Sequence, residues 1–309
     1  MKERGESKLF TIGQVVAALQ RDFPDVSHSA LRFLQREGLI EPIRTAGGHR
    51  MFRPSDVERI RQIKEWQVQR LSLAEIRERL GERDALESPR HISQRFLEHA
   101  VSGETHAAAT SVLLADDLGM PLARIFDEIL RPALHEVGDR WAAGELAVGQ
   151  EHEISEIARD VISELTLRHA RVDPGGQAVV AACVAGEHHD LGLRMVMGVL
   201  RQRGLRVHFL GADVAAGFLL ESVRLRQPDL VILSASLDAR LPALRATVTA
   251  LQRAALGDVR PRIVVGGQGC LHHQRELRDE GITVISDDGL EAIADSIISG
   301  VRTGASPSP

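Results

Sequence analysis

Residues 178–192 read Ala178-Val-Val-Ala-Ala-Cys-Val-Ala-Gly-Glu-His-His-Asp-Leu-Gly192. The first part, Ala178–Val184, is apolar without alternation, as expected of a strand buried on both faces. A polar loop follows, and a helical pattern then runs over Leu191–Arg203. Strand, loop and helix in that order make one unit of a doubly wound sheet. The succession recurs downstream. Apolar runs at Arg206–Leu210, Leu230–Ser234, Arg262–Val265 and Thr283–Ile285 alternate with helical patterns at Phe218–Arg226, Leu241–Ala255 and Gly289–Ser299. The prediction is a Rossmann-like (flavodoxin-like) doubly wound parallel sheet over residues 176–302.

Ligands of such sheets bind beyond the carboxyl ends of the strands. Four loops belong there. In Gly186-Glu-His-His-Asp-Leu-Gly192, His189 is a candidate metal ligand, because a neutral imidazole suits transition metals. Its neighbours Glu187 and Asp190 are the two candidates for orienting the ring through its other nitrogen. His188 adjoins it, and Gly192 lets a flat ligand approach. Gly211-Ala-Asp-Val214, Ser234-Ala-Ser-Leu237 and Gly266-Gly-Gln-Gly269 follow the next three strands. Small residues along one edge open a cavity rather than fill it. A phosphate loop is excluded, since no Lys-Ser/Thr follows the glycines.

Upstream, residues 84–175 read as a four-helix bundle, broken at Gly103, Gly119-Met-Pro121 and Gly144. Val172-Asp-Pro-Gly-Gly176 punctuates the chain as a linker, and residues 303–309, rich in Ser and Pro, read as a disordered tail. The first 83 residues form a third unit, with helices predicted at Ile12–Gln20, Ser27–Glu37, Pro54–Gln69 and Ser72–Leu80. Thr11, Ser27, Ser55 and Ser72 are the candidate N-caps. Between the second and third helices, Thr45-Ala-Gly-Gly-His-Arg-Met-Phe-Arg53 reads as a short β-wing. This is a winged helix-turn-helix, and the whole is a multidomain α and α/β protein. In the second helix Leu31 and Leu34 face inward, leaving His28, Ser29, Arg32 and Arg36 to enter a major groove. Arg44, His49, Arg50 and Arg53 on the wing are placed for phosphates or the adjacent minor groove.

Charge agrees with that reading. Residues 1–83 hold 16 Lys and Arg against 12 Asp and Glu, whereas the remainder holds 22 against 31. A basic end on an acidic protein suits a polyanionic partner. No apolar stretch approaches a membrane span and the start is polar, so no membrane association is expected. The cysteines, Cys183 and Cys270, form no motif, which fits a reducing cytoplasm.

Residues 9–80 resemble the MerR family, on Leu-Arg-Phe-Leu-Gln-Arg-Glu-Gly-Leu-Ile at 31–40 and Gly-Gly-His-Arg-Met-Phe-Arg-Pro-Ser-Asp-Val at 47–57. Phe33, Leu34 and Phe52 stand where the family commonly has tyrosines. The resemblance implies dimers on palindromic promoter DNA. The sheet resembles the cobalamin-binding domain of methionine synthase and corrinoid mutases, on the Glu-x-His-x-x-Gly, Ser-x-Ser-Leu and Gly-Gly loops. That implies His189 as lower axial ligand of cobalt, with Ser234, Ser236, Leu237, Gly266 and Gly267 around the nucleotide tail. Trp141, followed ten and eleven residues later by Glu151 and His152, resembles the cap of the CarH/LitR photoreceptors, which are MerR-type repressors using adenosylcobalamin as a light-sensitive ligand. The implied cap contacts are Trp141, Val148, Glu151 and His152. The implied behaviour is a dark tetramer on operator DNA that dissociates when light cleaves the cobalt–carbon bond, with no enzyme activity. One departure is Ala142: the family's photoreceptors carry a histidine there that ligates cobalt after photolysis. His135 lies nearby in sequence. The alternatives are a cobalamin- or other-chromophore-sensing regulator without that switch, and a corrinoid-dependent enzyme or methyl carrier. The last has no substrate-barrel domain in 309 residues and no use for a wing.

Overall fold

The computed structural model describes residues 9–45, 49–86, 88–171, 173–254, 260–285 and 288–303. The tip of the wing, the linker residue Val172 and residues 304–309 of the tail lie outside them. The N-terminal unit runs β1 (Phe10–Thr11), α1 (Ile12–Leu19), α2 (His28–Arg36), β2 (Ile43–Arg44), β3 (Arg50–Phe52), α3 (Pro54–Val68) and α4 (Leu73–Leu86). Three of the expected caps form. Thr11 and Gln14 make a reciprocal capping box, Ser27 accepts the Ala30 amide at 3.2 Å, and Ser72 pairs with Glu75. Ser55 does not cap α3. Arg53 is the N-cap, Pro54 takes the first helical position, and the Asp56 carboxylate accepts the Arg53 amide at 2.7 Å. Proline suits that position because its missing N–H would be an orphan there. The three strands form an antiparallel sheet ordered β1-β3-β2. Val15, Leu19, Leu31, Leu34, Phe52, Ile60, Ile63, Ile76 and Leu80 make a core of their own.

The middle of the chain is helical: α5 (Pro89–Val101), α6 (Thr105–Asp117), α7 (Leu122–Ile125), a π-helical turn (Phe126–Leu130), α8 (Arg131–Ala142) and α9 (Val148–His169). The expected third helix is thus one rod widened in its middle, where the Arg131 amide reaches back to the carbonyl of Phe126. Pro132 comes next. It brings no amide, and its ring crowds the turn before it, so a wide turn ahead of it relieves the clash.

The sheet follows: β4 (Ala178–Cys183), α10 (Leu191–Gln202), β5 (Arg206–Phe209), α11 (Ala216–Arg226), β6 (Leu230–Ser234), a 3₁₀ turn (Asp238–Arg240), α12 (Leu241–Arg253), β7 (Arg262–Gly266), α13 (Gln268–His272), α14 (Gln274–Asp279), β8 (Thr283–Val284) and α15 (Leu290–Thr303). All strands are parallel, in the order β5-β4-β6-β7-β8. The order reverses between β4 and β6, and ligands of this topology bind at that switch point. Along β4, Val179, Ala181 and Cys183 face one core while Val180 and Ala182 face the other.

The first of these cores extends beyond the sheet. Phe96, Phe126, Ile129, Ile154, Ala158 and Leu165 from the helical region pack into one cluster with Leu193, Met197, Leu200, Ile293 and Ile297 of α10 and α15. Gly198 on α10 permits the approach: a Cβ there would meet Thr166 Oγ1 at 2.6 Å and the Phe126 ring at 3.2 Å. Asp127, in the π turn, caps α15 by accepting the Leu290 amide at 2.9 Å. The helices of residues 89–169 therefore form the outer layer of the sheet on that face.

Candidate functional site

Four loops gather at the carboxyl edge of the sheet, beside the switch point. The first leaves β4 at Val184, whose bridge to Val214 continues the β4–β5 ladder. Gly186 turns the chain with φ of +77°, and its amide donates to Asp213 Oδ1 at 2.6 Å. Glu187 is fully buried. Its Oε1 accepts from the His189 amide at 2.9 Å and pairs with His189 Nδ1 at 2.6 Å. Its Oε2 accepts the amides of Ser236 at 2.7 Å and Leu237 at 3.1 Å. Burial alone would raise this carboxyl, but those four contacts outweigh it and hold the pKa at about 2. One carboxylate thus fixes the imidazole and joins the loop after β4 to the loop after β6.

His189 itself is 63 % exposed at the side chain. The bond to Glu187 raises its pKa, burial opposes this, and the charge of Glu151 on α9 raises it further while Arg240 lowers it. Since Nδ1 belongs to Glu187, Nε2 is the nitrogen left to act as a ligand. Asp190 does not share the orienting task. It is buried and binds two arginines, Arg194 Nε at 2.7 Å and Arg159 at 3.0 Å. His188 is exposed beside it.

The glycines divide into two kinds. A Cβ on Gly192, Gly211 or Gly266 would meet nothing within 4 Å, so these positions leave open space. Gly211 and Gly267 both have positive φ, +96° and +99°, but Gly267 is also packed: a Cβ there would lie 2.6 Å from the Ala235 carbonyl. Ser234 is buried at the end of β6, and Ser236 is half-buried. Both cysteines are buried, which pushes each thiol up to about 12.

Exposed apolar side chains lie in the helical region and in the loop after β6. Trp141 is 50 % exposed, Val148 57 % and Leu237 43 %. Glu151 Oε2 lies 2.5 Å from His152 Nδ1, and its other oxygen accepts from Ser155. Ala142 and His135 are exposed on α8. A corrinoid fits what the residues offer. One free imidazole nitrogen, open glycines at the switch point and unpaired apolar side chains suit a flat metal complex that brings its other ligands with it. Among the described residues no three His, Cys, Asp or Glu side chains gather around a bare ion. Arg159 and Arg240 border this site without any signal in the sequence, because neither lies in a recognisable motif.

At the other end, His28, Ser29, Arg32 and Arg36 are exposed along α2, and Arg44, His49 and Arg53 are exposed around the wing. Strands β2 and β3 pair Arg44 with Arg50. Arg50 is held: its Nε donates to Gln35 Oε1 on α2 at 2.7 Å. That bond fixes the wing against the second helix, and Arg36 lies over the Phe33 ring at 5.5 Å.

Comparison with known proteins agrees with both ends. Residues 10–82 match the model of the MerR HTH family regulatory protein. Residues 92–166 and 177–295 match two B12 binding domain models. The chain is 32 % identical to the HTH-type transcriptional repressor CarH of Myxococcus xanthus over 257 residues, covering 78 % of this chain and 84 % of that one. It is 31 % identical to the repressor CarA of the same organism, covering 79 % and 82 %. The monomethylamine corrinoid protein of Methanosarcina barkeri superposes with a TM-score of 0.59 at 18 % identity, over 69 % of this chain and all of that one, which shows a shared fold.

Proposed function

Because the chain belongs to the family of the CarH and CarA repressors, and is on that ground a cobalamin-binding transcription regulator, we propose that it is a repressor controlled by adenosylcobalamin and light. The observation that carries this reading is the imidazole of His189, fixed at Nδ1 by a buried carboxylate and free at Nε2, at the switch point of the sheet. In this reading His189 would hold the cobalt through Nε2. Ser234, Ser236, Leu237 and the open glycines would take the nucleotide tail, and Trp141, Val148, Glu151 and His152 would contact the cofactor from the helical region. When bound, the cofactor supplies a photolabile cobalt–carbon bond. The protein's part is positional. Glu187 keeps the imidazole in one orientation, and the cap excludes water and favours one assembly, a tetramer, over a dimer or monomer. The winged helix-turn-helix carries the exposed arginines to promoter DNA.

Ala142 supports a second reading, in which cobalamin alters assembly and light does not. An alanine side chain would offer no ligand to the cobalt that such a cofactor would bring. The deciding experiment is the absorption spectrum and size-exclusion profile of the full chain with adenosylcobalamin, in the dark and after green light. Dissociation on illumination supports the photoreceptor. A bound corrinoid with unchanged size supports the second reading, and no corrinoid binding at all overturns both.

A further inference from the structure

Arg240 places a cation beside this site, and among the described residues its buried Nε finds no acceptor. It ends the 3₁₀ turn after β6, and its amide donates to the Leu237 carbonyl at 2.9 Å. The Leu237 and Ser236 amides are themselves held by Glu187. The backbone beneath Arg240 is thus anchored to the loop that carries His189. The guanidinium lies against Gly186: a Cβ there would come within 2.8 Å of Nη1 and 3.4 Å of Nε. Among the described residues Nε is buried and has no hydrogen-bond partner. Asp238, the acid of the same turn, is engaged by His272 and His273. A buried donor left without an acceptor costs free energy, so its retention points to an acceptor that arrives with the ligand.

We propose that Arg240 binds the tail phosphate of a corrinoid and makes the site select corrinoids that carry one. This rests on the cobalamin reading above. The side chains of a corrin ring are neutral amides, so the phosphodiester of the nucleotide tail is the natural partner for a guanidinium, which meets phosphate oxygens two at a time. Ser234 and the open Gly192, Gly211 and Gly266 leave room on the same edge of the sheet.

Cobinamide and cobinamide phosphate differ only in that phosphate. Titration of the full chain with each, followed by absorption, is expected to show tighter binding of cobinamide phosphate by about tenfold. In Arg240→Met the preference disappears while cobinamide affinity holds. Arg240→Lys retains part of it. Arg240→Gln replaces the methionine variant if thermal melting of the corrinoid-free protein shows that variant unfolded. A preference that survives the loss of charge overturns the proposal, as does an equal loss for both corrinoids, which would make Arg240 a prop for the Gly186 loop. Failure of the unsubstituted chain to bind either corrinoid or cobalamin overturns the reading beneath it instead.

Discussion

Glu187 concentrates the consequences of single-residue change. Glutamine in its place removes the charge and turns one of the two acceptor oxygens into a donor, so the buried amides of one loop lose their acceptor. We expect Glu187→Gln to cost about 1–3 kcal/mol, measured by urea unfolding at pH 7, and to weaken corrinoid binding as His189 loses its orientation. The pH dependence has a defined sign. The folded carboxyl sits at about 2, below its ordinary value of 4.5, so its contribution is complete above 4.5 and fades as pH falls towards 2. The gap in melting temperature between the native chain and Glu187→Gln should therefore narrow through that window; a constant gap would contradict the assignment. His189→Ala should abolish the spectrum of a histidine-ligated corrinoid and lower the corrinoid-free melting temperature by less than Glu187→Gln does, since the buried carboxylate keeps its three amide donors. The His189 motif was legible in the sequence because a strand, a loop and a helix placed it. The choice between Glu187 and Asp190 was not legible, since both lie within two residues and only the fold turns one towards the ring and the other towards Arg159 and Arg194.

At the level of elements, α2 is presented by its cap. Ser27→Ala removes the acceptor of the Ala30 amide and should cost about 1 kcal/mol. It should also loosen the first turn that displays His28 and Ser29, seen as weaker binding to promoter DNA. Arg32→Ala is expected instead to reduce the salt dependence of that binding if it meets a phosphate, and to relax sequence preference if it meets a base. Helix periods and capping residues made α1, α2 and α4 readable in advance. The start of α3 misled, because Ser55 is a common cap residue while the actual device, Arg53 followed by proline and Asp56, depends on a backbone–carboxylate bond that composition does not announce. The π turn was hidden for a similar reason. Its apolar residues fit an α-helical stripe, and beside Pro132 the packing of Phe126 on Gly198 and of Asp127 on α15 favours the wider turn. The helices α13 and α14 are too short for a periodic signal to stand out.

For the molecule as a whole, the separation of cores sets how it should unfold. The winged helix-turn-helix has its own cluster, whereas the helical region and the sheet share one. Calorimetry of the full chain should resolve two transitions, and saturating cobalamin should raise only the one that includes the sheet, by about 2.7 kcal/mol at a hundredfold excess over Kd. A single transition, or an equal shift in both, would refute that division. Gly198→Leu should lower the same transition by driving a side chain between α9 and α10. The shared core also limits how such a chain can be recombined. The Pro-Gly stretch near residue 175 looks like a seam, yet a cut there would strip Leu193, Met197 and Ile293 of their cover. The cassette that can move intact begins near Pro89, so a new output head can be exchanged ahead of the helices but not behind them.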